Sequence, residues 1–165
     1  MCASIAARGV VSRRPVRRRS AVSQAFFRCS SCGGINRIDA QRLAEGPVCG
    51  RCHKPLDRSA APAEVDDDAL ERLIKASPVP VLVDFWAPWC GPCLMLAPHV
   101  TALAQRFAGR LIVVKLNTEE HQRVASKLQI RSIPTMIVWK GGEIANRQVG
   151  AVMGPQLDAV VTPYL

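Results

Sequence analysis

Three pairs of cysteines carry most of the chemistry open to this chain. Cys90 and Cys93 enclose Gly91-Pro92, Cys29 and Cys32 enclose two serines, and Cys49 and Cys52 enclose Gly50-Arg51. A seventh cysteine, Cys2, stands alone. A two-residue spacer suits two different chemistries. It brings two thiols close enough to exchange with a disulfide, or it aims two thiolates at one metal ion. The residues around each pair separate the two cases.

Cys90 lies in Val83-Asp84-Phe85-Trp86-Ala87-Pro88-Trp89-Cys90-Gly91-Pro92-Cys93. Pro80 to Trp86 is apolar apart from Asp84, the pattern of a strand covered on both faces. Proline is tolerated in the first turn of a helix, and Leu96, Val100, Leu103 and Phe107 then follow on one helical face. Cys90 therefore sits where a helix begins. Unpaired N–H groups and the positive end of the dipole favour a thiolate there. A thiolate attacks a disulfide, and Cys93, one turn further in, can close a ring and expel the product. The plainer readings are a buried inert thiol, or a metal held by this pair, for which two further ligands nearby are lacking. Asp84 needs its own explanation, because a buried carboxylate costs several kcal/mol unless it is paired or protonated.

The other four cysteines follow C-x2-C-x16-C-x2-C, a spacing in the range of a four-thiolate zinc site. Four sulfurs make a closed structural site with no open position for catalysis. A module of about thirty residues cannot bury much core, so one Zn2+ would supply its folding energy. Gly33, Gly34 and Gly50 offer the turns such knuckles need. Two disulfides, or four free thiols, are the alternatives. His53 adjoins Cys52 and could replace a sulfur, but four cysteines suffice without it.

The elements that must position these groups can be traced along the chain. The length of 165 residues allows one ordinary domain and a small module. Residues 1–25 hold six arginines and no acid and read as a disordered basic tail, with a targeting segment or translation begun upstream of the true start as alternatives. Residues 26–58 form the zinc module, and residues 59–165 the main domain. In the main domain a short strand is expected within 59–65, then a helix from Asp66 to Ala76 opened by three aspartates. The strand and helix around Cys90 follow, with Pro98 expected to kink the helix. Leu111 to Leu116 reads as a strand, Glu119 to Leu128 as a helix, Thr135–Lys140 and Glu143–Val149 as a hairpin around Gly141-Gly142, and Gly154 to Val161 as a closing helix. The order βαβαββα with a short front strand describes an α/β domain.

Charge narrows the partners. Residues 1–58 carry twelve Lys and Arg against three acids, while residues 59–165 carry ten of each. The net charge of +9 thus belongs to the front of the chain and says nothing of nucleic-acid binding by the main domain. Arg28, Arg37, Arg42, Arg51, Lys54 and Arg58 give the module a basic surface, but Phe26 and Phe27 are its only aromatic residues, few for a single-strand binding surface. No run of eighteen apolar residues occurs, so no transmembrane helix is expected. Paired C-x-x-C usage, as opposed to a scattered disulfide framework, points to a reducing compartment, the cytoplasm.

Trp89-Cys90-Gly91-Pro92-Cys93 resembles the active site of the thioredoxin family, and Ile130-Arg131-Ser132-Ile133-Pro134-Thr135 supports the match. The resemblance runs from about Asp66 to the C-terminus, and with the front module it extends from Phe27, as in the bacterial members that carry an added zinc module. It implies the thioredoxin fold, a mixed central sheet flanked by helices, with an N-terminal zinc ribbon. It implies a protein-disulfide reductase in which Cys90 attacks and Cys93 resolves. Asp84 matches the buried acid that exchanges a proton with the second cysteine, and Lys115 the lysine facing that acid. Ile133-Pro134 matches a cis-proline beside the active site, with the Ile133 backbone free to pair with substrate. Gly150 borders the same groove, Gly91 and Pro92 form part of it, and Trp89 would shield the sulfurs. The family's electron donor, an NADPH-dependent thioredoxin reductase, is implied as a partner, as are protein disulfide substrates. A monomer with no membrane or nucleic-acid partner is expected. The Gly-Pro spacer favours a reducing role over an oxidase or isomerase. From another class, a zinc-dependent redox sensor or adaptor would use the same domain as a scaffold. Leu94 departs from the family, where a basic residue is common, and lowers the charge near the site.

Overall fold

The computed structural model describes residues 24–165, so the expected basic tail lies outside the described residues except for Gln24 and Ala25. Those two open strand β1 (Gln24–Arg28), which pairs antiparallel with β2 (Ile35–Asp39). Strand β1 thus takes in the last two residues of the expected tail. Ala25 and Phe27 alternate inward along β1, and both pack in a small core with Ile38, Leu56 and the cysteines. A 3-10 turn, Ala40–Glu45, follows β2, with the Asp39 carboxylate accepting from the Gln41 N–H at 3.0 Å.

A five-stranded mixed sheet carries the main domain. Its elements are β3 (Ala63–Glu64), α1 (Asp67–Ala76), β4 (Val81–Trp86), α2 (Gly91–Arg106), β5 (Ile112–Asn117), α3 (Gln122–Lys127), β6 (Thr135–Lys140), β7 (Glu143–Val149) and α4 (Pro155–Val161). The strand order is β3-β5-β4-β6-β7. Strands β3 and β4 run parallel to β5, while β6 is antiparallel to β4 and to β7. Val81, Val83 and Phe85 face a core shared with Leu70 and Leu73 of α1 and Val124 of α3. Leu82 faces the other, with Leu96, Val100 and Leu103 of α2 and Leu157 of α4. Both faces of β4 are covered, which is why its sequence is apolar without alternation. Asp84 follows Leu82 by two and lies on the α2 face.

The helix bounds have local causes. The Asp66 side chain caps α1 by accepting from the Ala69 N–H at 2.6 Å. The next aspartates reach across to α3: Asp67 accepts from the Val124 N–H at 2.9 Å and Asp68 from Arg123 at 2.6 Å. The α3 helix starts at Gln122, three residues later than the pattern suggests. Asn117 takes up the intervening residues in a turn, its side chain accepting from the Glu119 N–H at 3.0 Å and its carbonyl from the His121 N–H at 2.9 Å. Helix α2 runs on through Pro98 to Arg106.

The module meets the main domain just beyond α2. The Phe26 N–H donates to the Gly109 carbonyl at 2.8 Å, an antiparallel bridge between β1 and the turn that leads into β5. Gly109 has φ +81°, and a Cβ built there would lie 2.6 Å from the Ala25 Cβ. Both the backbone conformation and the close approach need glycine. Gly109→Ala is expected to lower the unfolding free energy by about 1–3 kcal/mol. Adding Ala25→Gly should recover the part due to the clash, with urea unfolding as the measurement.

Candidate active site and metal centre

The turn after β4 closes with the Cys90 N–H donating to the Ala87 carbonyl at 3.1 Å, and α2 begins at the next residue. Cys90 is the cap residue itself, its sulfur accepting from the Cys93 N–H at 3.2 Å. A sulfur in that position receives the field of the helix start whether bonded or free. Cys90 and Cys93 are joined in a disulfide, with Cα atoms 5.2 Å apart. Both are buried, whereas Trp89, Leu94 and Met95 beside them are exposed. The resemblance implies that Trp89 shields the sulfurs, but its ring is mostly in solvent. Its Nε1 donates to Glu119 Oε1 at 2.7 Å, which ties the indole toward the turn after β5. Gly91 and Pro92 are exposed on the first turn of α2.

The Ile133–Pro134 bond is cis. Thr135 pairs with Phe85, so Pro134 lies at the same end of β4 as the cysteine turn. The Pro134 carbonyl accepts from the Gly150 N–H at 2.9 Å, and Gly150 has φ +87°, a conformation that favours glycine. Ile133 is partly buried against the α1 face of the sheet. The sequence-derived groove residues thus gather at one end of the sheet.

Asp84 is 1% exposed, and its Oδ1 has no hydrogen-bond partner among the described residues. Burial pushes its pKa up to about 6, with Lys115 opposing the shift and Glu64 adding to it. Lys115 sits opposite Asp84 in the β4–β5 register, as expected, but its ammonium does not pair with that acid. It lies 3.0 Å from Glu64 Oε1 and 4.0 Å above the Trp86 ring. The other Glu64 oxygen accepts from Trp86 Nε1 at 3.3 Å. In place of the expected facing pair, Lys115, Glu64 and Trp86 form a group of three beside Asp84, because β3 brings a second carboxylate to Lys115. In the sequence Glu64 reads only as part of a linker or short strand, and Glu119 as a helix residue. A lone acid in a two-residue strand offers no periodicity by which to find it.

Cys29, Cys32, Cys49 and Cys52 have sulfurs within 4.8 Å of one another. Two of the separations, Cys29 to Cys52 and Cys32 to Cys49, are 3.7 and 3.6 Å. A regular tetrahedron of zinc–sulfur bonds has edges of about 3.8 Å, so the set fits Zn2+. The two knuckles repeat one turn. The Cys29 carbonyl accepts from Gly33 N–H at 2.9 Å, and the Cys49 carbonyl from His53 N–H at 2.9 Å. Gly33 and His53 occupy the same left-handed corner, at φ 72° and 59°. His53 is thus a turn residue outside the sulfur set. Asn36 was missed by sequence reasoning and joins the knuckles. Its Nδ2 donates to the Gly34 carbonyl at 3.0 Å and its Oδ1 accepts from the Gly50 N–H at 2.9 Å. Cys49 is drawn down to about 6 by the backbone N–H groups of Cys52 and Arg51. Cys52 moves up to about 11: the Lys54 N–H pulls it down, but burial and the three other sulfurs outweigh that pull. Four thiolates this close require a cation to be charged together.

Comparison with known proteins agrees with this geometry. The thioredoxin family model matches residues 61–162, and a zinc-ribbon model described as "Thioredoxin 2, N-terminal" matches residues 28–54. Thioredoxin 1 of Nostoc sp. is 48% identical over 106 residues, which cover 64% of this chain and 99% of that protein. Thioredoxin C-3 of Corynebacterium nephridii is 39% identical over 130 residues, 79% of this chain and 88% of that one. The structure of a mutant thioredoxin from Halobacterium salinarum superposes with a TM-score of 0.59 at 31% identity, covering 66% of this chain and 94% of the other. The chain belongs to the thioredoxin family and carries an N-terminal zinc-ribbon domain. It is a thioredoxin-type oxidoreductase.

The raised pKa of Asp84 fixes the sign of a stability effect. The folded protein holds this proton up to about pH 6, whereas an unfolded aspartate loses it near its ordinary value of 3.8. Stability from this group is therefore full below the unfolded value and lost as pH rises through 6. Asp84→Asn should accordingly raise the unfolding free energy at pH 8 by about 2–3 kcal/mol and bring little gain at pH 4, as read by urea unfolding at both pH values.

Proposed function

We propose that the protein reduces disulfides of other proteins through Cys90 and Cys93. The reading rests chiefly on the placement of Cys90 as the cap of α2, with Cys93 one turn behind it and an exposed rim of Trp89, Leu94 and Met95. In the reduced protein, Cys90 thiolate attacks one sulfur of the substrate disulfide. An S–S bond forms between Cys90 and substrate, and the first substrate sulfur leaves as a thiolate that takes up a proton. Cys93 gives its proton to Asp84 and attacks Cys90 Sγ, releasing the second substrate sulfur. The sum is one substrate disulfide reduced to two thiols and one Cys90–Cys93 disulfide formed. Asp84 suits the proton exchange because its carboxylate is buried and its pKa is pushed up to about 6.

Lys115 opposes the shift at Asp84 and so belongs to the same exchange. Gly91, Pro92, Ile133, Pro134 and Gly150 form the floor and edge on which an extended substrate segment lies, with Trp89 beside it. Two electrons from an NADPH-dependent thioredoxin reductase regenerate the dithiol. Residues 26–58 act as the zinc-ribbon module and residues 59–165 as the catalytic domain. Cys29, Cys32, Cys49 and Cys52 hold one Zn2+, which supplies four bonds that lock the knuckles and has no open position for substrate. The protein works as a monomer in the cytoplasm.

Two measurements test this. With insulin as substrate, Cys90→Ser should abolish reductase turnover. Cys93→Ser should leave a covalent protein–substrate disulfide visible on a non-reducing gel; no such adduct would count against Cys90 as the attacking thiol. Elemental analysis of the freshly purified chain should find one zinc, and Cys29→Ser with Cys52→Ser should remove it while turnover persists. Absence of zinc with all four thiols reduced would remove the metal from this account.

A further inference from the structure

We infer that Glu64 is a positioning residue that sets the ionisation of Asp84 by holding the Lys115 ammonium away from it. The inference rests on the proposed role of Asp84 for its importance to turnover, but its geometry stands separately. In the sheet, Asp84, Lys115 and Glu64 lie side by side in register across β4, β5 and β3. Lys115 could therefore reach either carboxylate. It takes the outer one, Nζ lying 3.0 Å from Glu64 Oε1, and rests 4.0 Å above the Trp86 ring. Glu64 is itself fixed from the other side, because its Oε2 accepts from Trp86 Nε1 at 3.3 Å. The result is a closed arrangement of carboxylate, ammonium and indole at the sheet edge, with Asp84 left outside it. The buried Oδ1 of Asp84 without a partner is the counterpart of that closure.

The remaining surroundings of Asp84 are neutral. Its register partner on β6 is Met136. On the α2 side Leu96 and Leu157 pack on the same face, and Cys93, the buried titratable residue of that helix's first turn, is held in the disulfide. Lys115 and Glu64 are thus the two charged groups that act on Asp84. An ammonium within reach of a buried carboxylate lowers its pKa by about 1–3, so the side on which Lys115 is held decides whether Asp84 can carry a proton near neutrality. Glu64 reaches Lys115 because β3, although two residues long, pairs with the middle of β5.

The test follows the Asp84 carboxyl carbon by 13C NMR across pH in the full, oxidised, zinc-loaded chain. Its resonance is assigned by its loss in Asp84→Asn. Glu64→Gln keeps the shape and an acceptor for Trp86 but frees the ammonium. It should lower the Asp84 midpoint by about one pH unit or more. The same substitution in a Lys115→Met background should move the midpoint by less than half as much, because no ammonium remains to relocate. An unchanged midpoint in Glu64→Gln would overturn the inference. So would equal shifts in the two backgrounds, which would make Glu64 a fixed charge and not a holder of Lys115. Glu64 is half exposed at the sheet edge, and Glu64→Ala provides a second variant read in the same way. The pH profile of insulin reduction separates the two proposals. A lowered midpoint with an unmoved profile upholds the placement of Lys115 and counts instead against the proton-exchange role of Asp84.

Discussion

Strand β4 runs through the middle of the sheet with hydrogen-bonded neighbours on both edges and packed helices on both faces, so Asp84 is shut off from bulk solvent. Everything at the catalytic end depends on that burial. It raises the proton affinity of the carboxylate. It gives the neighbouring ammonium two possible partners in place of free solvation. It also makes β4 a rigid rod whose end fixes where the Cys90 turn begins. A wetter strand would carry the same residues with their ionisation set by solvent, and the location of Lys115 would matter little.

The chain uses one cysteine spacing in two ways, and backbone conformation distinguishes them. At Cys90 the spacer Gly91-Pro92 starts a helix, so the sulfurs lie in sequence along a helical turn and bond to each other. In the module the residue after each second cysteine turns left-handed, at Gly33 and His53. The chain folds back, and both sulfurs of each knuckle point toward a shared centre. That His53 accepts this conformation at φ 59° shows how strongly the second knuckle demands it. Asn36 then binds one knuckle to the other through its two amide atoms, a task for which its side chain has both a donor and an acceptor.

Periodicity and turn chemistry made most of the fold legible. The hairpin strands β6 and β7 have the bounds read from their residues, because Gly141-Gly142 marks the turn and the flanking runs are strongly β-forming. The α2 face and both cysteine constellations were legible for the same reason: local spacing encodes them. Elsewhere the deciding contacts are long-range. The start of α3 depends on Asn117 and on Asp67, more than fifty residues before Val124. The partner of Lys115 is an acid that precedes it by about fifty residues, and the indole of Trp89 is tied down thirty residues away. Polar side chains that meet partners far along the chain or in turns leave no period in the sequence, so Glu64, Glu119 and Asn36 could not be found by it.

The bridge between Phe26 and Gly109 places the module at the far end of α2 from Cys90. Sixteen residues of helix span about 24 Å, several times the reach of a cysteine side chain. The anchoring bridge of the module and the catalytic pair thus stand a helix length apart. The helix whose first turn holds the catalytic pair leads at its other end into the turn that ties the four-cysteine module to the sheet, so one element serves both halves of the chain.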